Sequence, residues 1–266
     1  MKKYAVIGKD VSRSLSPQIH KFISERTGNE IIYDRISINE NTFDKSVKKL
    51  FNEYDGFNVT IPYKLSIMPH LNKIDGDAKT FGAVNTVRVS DLSGYNTDGA
   101  GFMLMLKINK VETDGKDILL LGAGGAGRSV AKKLAAANAN VYVYDVNYSN
   151  SKRLEREFSN IAAVENIVVR PYYAIINATG VGMHESESVS PLSEDVIKLC
   201  EVAIDLIYTP PKSKFLQIAE NCGKRIINGF AMLFYQAYYA QSIFFNKSAD
   251  EQQAVQLFNE FREGFL

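Results

Sequence analysis

Cysteine is nearly missing from this sequence, with only Cys200 and Cys222 in 266 residues. A disulfide-stapled secreted scaffold is thereby excluded. Two reduced thiols, each in a segment with helical spacing, in a cytoplasmic protein are the simplest expectation. Histidine is as sparse: His20, His70 and His184 are spaced too widely to suggest a metal site, and no metal is expected. Neither sign of charge dominates, with 31 Lys+Arg against 30 Asp+Glu, so neither nucleic acid nor an anionic membrane is favoured as a partner. A long hydrophobic run is also lacking. The most apolar segment, Phe230 to Phe245, is broken by Gln236, Gln241 and Ser242 and falls short of the ~20 residues a bilayer requires, so it reads as a buried helix. Met1-Lys2-Lys3 leads straight into a strand-like run, so no signal peptide is expected. Repeats and low-complexity tracts are not evident, which disfavours disorder.

What is present begins with Ile118 to Leu121 followed by Gly122-Ala123-Gly124-Gly125-Ala126-Gly127, an apolar run that breaks into clustered glycines. A helical alternation follows to about Ala137. In this arrangement Gly122 permits a tight turn, Gly124 lets backbone approach a phosphate, and Gly127 lets helix and strand pack closely. The helix would turn its free N–H groups and positive dipole end toward a pyrophosphate. A tight strand-to-helix turn alone would explain the glycines. Two further features favour a dinucleotide: a second strand from Val141 to Tyr144, and Asp145 at its end, where a carboxylate grips a ribose hydroxyl pair.

The length allows one large domain or two smaller ones. Tyr4 to Gly8 reads as a first strand. Ser16 before Pro17 reads as a helix start with a hydroxyl cap; that leaves Ser14 unexplained, and two hydroxyls beside a helix N-terminus equally make a carboxylate site. Ile31 to Ile38 is a strand, 42–52 has helical spacing, and Gly56 to Pro62 is a strand with Lys64 just beyond its C-terminal mouth. Alternating strands and helices predict a parallel α/β sheet with ligands beyond the strand ends, although a lysine there is also an ordinary solvated charge. Gly82 to Val89 is another strand. Asn96-Thr97-Asp98-Gly99 would serve as a turn capping a helix that begins near Phe102. Further on, Ser151 to Phe158 is helical, Ala174 to Asn177 and Val202 to Ile207 are strands, Arg225 to Gly229 is the last strand, and two helices close the chain.

In order, Ser14-Leu15-Ser16-Pro17, Asn58-Val59-Thr60-Ile61-Pro62-Tyr63-Lys64, Gly82-Ala83-Val84-Asn85-Thr86, Asn96-Thr97-Asp98-Gly99, the glycine cluster, Asn177-Ala178-Thr179, Asp205-Leu206-Ile207-Tyr208 and Asn228-Gly229 through Gln236 resemble the shikimate dehydrogenase family over essentially the whole chain. The resemblance implies two α/β domains separated by a cleft. Residues 1–98 plus 231–266 would form the substrate domain, and 99–230 the Rossmann NAD(P)-binding domain. It implies reversible reduction of 3-dehydroshikimate to shikimate by a nicotinamide, within aromatic amino-acid and chorismate biosynthesis. On the family pattern Lys64 and Asp98 are the catalytic pair, and Ser14 and Ser16 hold the substrate carboxylate. Thr60, Asn85 and Gln236 lie at positions that grip ring hydroxyls, with Tyr208 also on the substrate side. Gly122, Ala123, Gly124, Gly125, Ala126, Gly127, Asp145, Asn177, Ala178, Thr179, Gly229 and Met232 fall on the cofactor side. The chemistry accords with this: hydride delivery to a ketone leaves charge on oxygen, and an ammonium there supplies both a proton and a positive charge. A monomer or homodimer acting on a small molecule is expected.

Three departures from the family pattern matter. Members using NADP usually carry Asn-Arg-Thr after the second Rossmann strand, with a further arginine nearby, where this chain has Asp145-Val146-Asn147. An aspartate accepts from two ribose hydroxyls and repels a phosphate dianion, so NAD is expected to be favoured, with Lys152 and Arg153 able to soften the preference. Ala231 replaces a common glycine before Met232, and Gly180 a common serine. NAD use also raises quinate as an alternative substrate, while Ser14 and Ser16 lean toward shikimate. A methylenetetrahydrofolate-type dehydrogenase and a catalytically inactive nucleotide sensor are the competing readings; retention of Lys64 and Asp98 counts against the sensor.

Overall fold

The computed structural model describes residues 1–265 and divides them into two compact units. One unit comprises Met1–Leu104 with the C-terminal segment from Phe234; the other is Met105–Leu233. Strands of the first unit are β1 (Lys2–Gly8), β2 (Ile31–Ser37), β3 (Gly56–Val59), β4 (Lys73–Ile74), β5 (Thr86–Arg88) and β6 (Ser93–Tyr95). They form one sheet in the order β2-β1-β3-β5-β6-β4. Around it lie α1 (Ser16–Arg26), α2 (Phe43–Glu53), α3 (Gly76–Phe81) and the start of α4 (Asp98–Ile108).

The alternation of strands and helices predicts parallel pairing, and β1 does run parallel to both β2 and β3. The pairs β3–β5 and β5–β6 are antiparallel, so this sheet is mixed. For β5–β6 the reason is local: the connection is a short turn, too short for the crossover that a parallel neighbour demands. The core beneath the sheet gathers Ile7, Val47, Phe57, Ile67 and Val87, all fully buried.

The second unit contains β7 (Asp117–Leu121), β8 (Asn140–Tyr144), β9 (Ile161–Ala163), β10 (Tyr172–Asn177), β11 (Cys200–Asp205) and β12 (Arg225–Asn228), ordered β12-β11-β10-β7-β8-β9. Every pairing in this sheet is parallel. Its strands are accordingly continuous apolar runs, as in Ile118 to Leu121 and Ala174 to Ile176. The intervening helices are α5 (Gly125–Ala136), α6 (Tyr148–Glu157), α7 (Glu194–Ile197) and α8 (Lys214–Asn221). Cys200 lies in β11, against the helical expectation; the flanking Val202 to Ile204 are wholly buried in the sheet, and burial pushes its thiol up to about 11.

Two helices end the described chain, α9 (Phe230–Phe244) and α10 (Glu251–Phe265). The apolar run beginning at Phe230 is thus one helix, and within the first unit Phe244 stacks on Tyr4 with ring centroids 4.5 Å apart. Among the described residues no helix is long and apolar enough to cross a membrane.

Candidate active site

Lys64 is anchored through its own backbone and its neighbour. After β3 the chain turns at Thr60, whose carbonyl accepts from the Tyr63 N–H at 3.0 Å. The Tyr63 ring stacks on Phe43, and its hydroxyl donates to the Ile38 carbonyl at 2.6 Å. The Lys64 carbonyl accepts from the Val84 N–H at 2.8 Å. Fixed on both sides, the side chain is only 15% exposed, and its Nζ donates to Asp98 Oδ2 at 2.5 Å.

Asp98 is the first residue of α4, earlier than the expected start near Phe102, and it is not the cap. Asn96 closes a turn just ahead of the helix: its Oδ1 accepts from the Asp98 N–H at 3.0 Å, while its Nδ2 donates to the Ala83 carbonyl at 2.9 Å. The Asp98 carboxylate is thereby free of helix capping. Its Oδ1 accepts from Asn85 Nδ2 at 2.9 Å, and its Oδ2 takes the lysine. A largely buried ion pair retained next to further polar groups costs desolvation, and its geometry is what a proton-handling pair requires.

Asn85 is wholly engaged. Its Nδ2 also donates to Thr97 Oγ1, and its Oδ1 accepts from the Thr97 N–H and the Thr86 hydroxyl. With 3% of its surface exposed, it shapes this corner as much as it offers itself to a ligand.

α1 begins at Ser16, but Ser16 does not take the capping role that its place before Pro17 suggests. The Ser14 hydroxyl accepts from the Ser16 N–H at 3.2 Å and donates to Ser16 Oγ at 3.1 Å. Leu15 has helical backbone angles rather than the extended angles of a capping residue, so the turn draws Ser14 inward. Ser14 and Ser16 therefore present adjacent hydroxyls at a helix N-terminus, suited to a carboxylate. Thr60 is half-buried directly after β3, and Gln236 is half-buried on α9.

In the second unit the glycine turn fits a dinucleotide. Gly122 takes φ +93, and a Cβ on Gly127 would sit 2.0 Å from the Gly122 carbonyl oxygen. That left-handed turn and that close approach fold strand and helix tightly together. Gly124 is different: a Cβ there would meet nothing within 4 Å, and no side chain caps α5 above it. The exposed Gly124 and Gly125, with Ala126 behind them, thus leave open space at an uncapped helix N-terminus, the environment a pyrophosphate needs. Asp145 stands beside this turn, with Oδ2 accepting from the Ala123 N–H at 2.7 Å and Oδ1 from the Asn147 N–H at 2.9 Å and Asn150 Nδ2 at 3.2 Å.

The comparisons with known proteins agree with both halves. Residues 6–87 match the family described as shikimate dehydrogenase substrate binding domain. A shikimate dehydrogenase (NADP(+)) of Carboxydothermus hydrogenoformans is 37% identical over 249 residues, covering 88% of each chain. Another, from Clostridium perfringens, is 34% identical over 272 residues, covering 98% of this chain and 99% of its own. The chain belongs to the shikimate dehydrogenase family. It is accordingly an oxidoreductase. Among solved structures, shikimate 5-dehydrogenase from Thermus thermophilus in complex with NADP(H) and shikimate matches with a TM-score of 0.87 at 33% identity, covering 98% of this chain and 99% of that one.

Other residues marked by the family pattern have mixed placements. The Asn177 side chain is fully buried and fully bonded, donating to the Val181 carbonyl and Asp205 Oδ1 and accepting from the Thr179 N–H and hydroxyl. It folds the loop that carries Ala178 and Thr179 and has no capacity left for a ligand. Asp205, which braces it, is held by Ser213, and burial raises its carboxyl. Gly229 is explained by packing, since a Cβ would lie 2.0 Å from the Leu206 carbonyl oxygen. Met232 is 8% exposed, and Tyr208 is half-buried with its hydroxyl pKa raised by desolvation. Val146, where NADP-using members usually have arginine, is 94% exposed. Lys152 is paired with Glu155 at 2.5 Å, whereas Arg153 is exposed.

Sequence reasoning missed Thr97 and gave Asn58 and Asn96 no role of their own, although each holds the Asn85–Asp98 corner. The only available signal was their place inside the matching motifs.

Proposed function

We propose that this chain reversibly reduces 3-dehydroshikimate to shikimate and prefers NAD to NADP. The observation that carries the reaction is the buried Lys64–Asp98 pair at 2.5 Å, in the unit whose residues 6–87 match the substrate-binding family. The nicotinamide, when bound by the second unit, supplies the hydride. Lys64 then donates its proton to the ketone oxygen as charge develops there, and in the reverse direction accepts it back. Asp98 fixes the ammonium's direction and, through its remaining lone pairs, accepts from a neighbouring ring hydroxyl. Ser14 and Ser16 orient the substrate by its carboxylate, with Thr60 and Gln236 completing the contacts and Asn85 holding Asp98.

The cofactor preference rests on Asp145 and Val146. A carboxylate beside the ribose repels a 2′-phosphate, and Val146 offers that phosphate no donor. In this the chain departs from the curated relatives, which are named for NADP(+). Of shikimate and quinate, retention of both serine hydroxyls favours shikimate.

The test is a two-by-two kinetic matrix of shikimate and quinate against NAD and NADP. Higher efficiency with shikimate and NAD supports the reading. Higher efficiency with quinate overturns the substrate preference, and a clear NADP advantage overturns the role given to Asp145. No rate in any combination overturns the dehydrogenase reading itself.

A further inference from the structure

Behind the Lys64–Asp98 pair runs a line of buried polar groups that the proposed reaction does not use directly. It starts at His20 on α1, which has no exposed surface and has the Asn58 amide as a polar neighbour. The imidazole stacks on the Tyr33 ring at 4.3 Å and 13°. From β2, the Tyr33 hydroxyl donates to Asn58 Oδ1 at 2.7 Å. Asn58 Nδ2 then donates both to the Asn85 carbonyl at 3.1 Å and to Thr86 Oγ1 at 3.0 Å. The Thr86 hydroxyl donates to Asn85 Oδ1 at 2.9 Å, and Asn85 Nδ2 ends the line by donating to Asp98 Oδ1.

Each link has one workable direction. Were the Asn58 amide reversed, its oxygen would face the Asn85 carbonyl, acceptor against acceptor. The Tyr33 hydroxyl, whose pKa is pushed well above its ordinary range by burial, is the donor that matches the observed orientation. Asn85 is held at its main-chain carbonyl by the Val59 N–H and by Asn58, and at its side chain by Thr97 and by Thr86. Its bond to Asp98 Oδ1 leaves Oδ2 for the lysine.

We propose that Tyr33 is a positioning residue: held against His20, its hydroxyl orients Asn58, which fixes Asn85 and so the carboxylate that aims the Lys64 ammonium. This rests on the reading of Lys64 and Asp98 as the proton-handling pair. Removing the hydroxyl takes from the buried Asn58 Oδ1 its 2.7 Å donor, and the amide re-orients or drifts toward another donor.

The experiment uses the full chain with 3-dehydroshikimate and NADH. Tyr33→Phe keeps the ring stack and deletes the hydroxyl. The expected result is a kcat about three- to tenfold lower, equivalent to losing one buried hydrogen bond, with the coenzyme KM unchanged. The solvent deuterium isotope effect on kcat is expected to rise, because a misaimed ammonium makes proton transfer slower relative to hydride transfer. Thr86→Val cuts the same line one link nearer Asp98 without changing shape, and is read in the same way if Tyr33→Phe does not accumulate as folded protein. An unaltered kcat and isotope effect overturn the proposal. So does a lower activity that follows the folded fraction with the isotope effect unchanged. A wild-type enzyme inactive toward 3-dehydroshikimate sinks the parent reading and this inference with it, whereas an active wild type with an unaffected variant sinks the inference alone.

Discussion

At the scale of single residues, the proposed chemistry concentrates on one ammonium. Lys64→Ala removes the proton donor while leaving the surrounding hydrogen bonds of Asn85 and Asn96 in place. Turnover of 3-dehydroshikimate, followed as loss of NADH absorbance, is expected to fall by roughly 10²- to 10⁴-fold, the range for a lost general acid. A residual rate near wild type would exclude Lys64 from that role. Cofactor choice is also decided by single side chains. Asp145→Asn combined with Val146→Arg removes the repelling charge and adds a fork that grips phosphate. The ratio of kcat/KM for NADP to that for NAD is expected to rise about 10- to 100-fold, the worth of one or two charge-assisted hydrogen bonds. Comparing the two ratios checks it. Little change would mean that Asp145 serves only its bonds to Ala123, Asn147 and Asn150.

Among the elements, the β7–α5 turn separates two uses of glycine that look alike in sequence. Gly127→Ala would drive a methyl into the Gly122 carbonyl at 2.0 Å, a backbone contact that cannot give way cheaply. A loss of about 1–3 kcal/mol is expected from such overpacking, read as a lower midpoint in thermal unfolding. Gly124→Ala meets open space and has φ −70, which alanine tolerates, so its unfolding midpoint should match wild type. Its coenzyme KM should rise instead, because the methyl stands where the pyrophosphate approaches. The reverse pattern would show that the roles of the two glycines had been exchanged. These elements were legible because strand and helix periodicities differ and glycine marks the break between them. The helix starts were less so. Ser16 and Asp98 both look like caps, yet Ser14 and Asn96 do the bonding, since the choice between neighbouring polar residues depends on backbone angles that spacing does not specify.

For the whole molecule, the buried His20 makes stability depend on acid. Its pKa falls from 6.5 to about 3, chiefly by burial, with the nearby Asn58 amide only partly offsetting it. Above pH 6.5 the ring is neutral in folded and unfolded chains alike, and the folded state has its full stability. Between about 6.5 and 3 the unfolded chain takes up a proton that the folded chain refuses, so stability is lost as pH falls. Asp91, held down to about 2 by Arg88, adds loss of the same sign below 3.8, whereas Asp205, raised by burial, opposes it. His20→Phe keeps a ring against Tyr33 and removes the titration. Its acid-unfolding midpoint should move to lower pH. A midpoint unchanged or moved to higher pH would mean that His20 is not the group responsible.

The strand-helix alternation that predicts a parallel sheet, the glycine turn and the separate motifs were contained in the sequence, because each is a run of residues close together along the chain. Lys64 was marked by the resemblance to the family, its local setting alone reading as an ordinary solvated charge. The antiparallel turns of the first sheet, the strand around Cys200 and the full engagement of Asn177 were decided by packing. So was the corner built from Tyr33, Asn58, Asn85 and Asp98, in which Lys64 meets a carboxylate 34 residues away. Hydrogen bonds between distant residues form only where the folded backbone brings a donor and an acceptor within about 3 Å in a suitable direction, and no local pattern encodes that meeting.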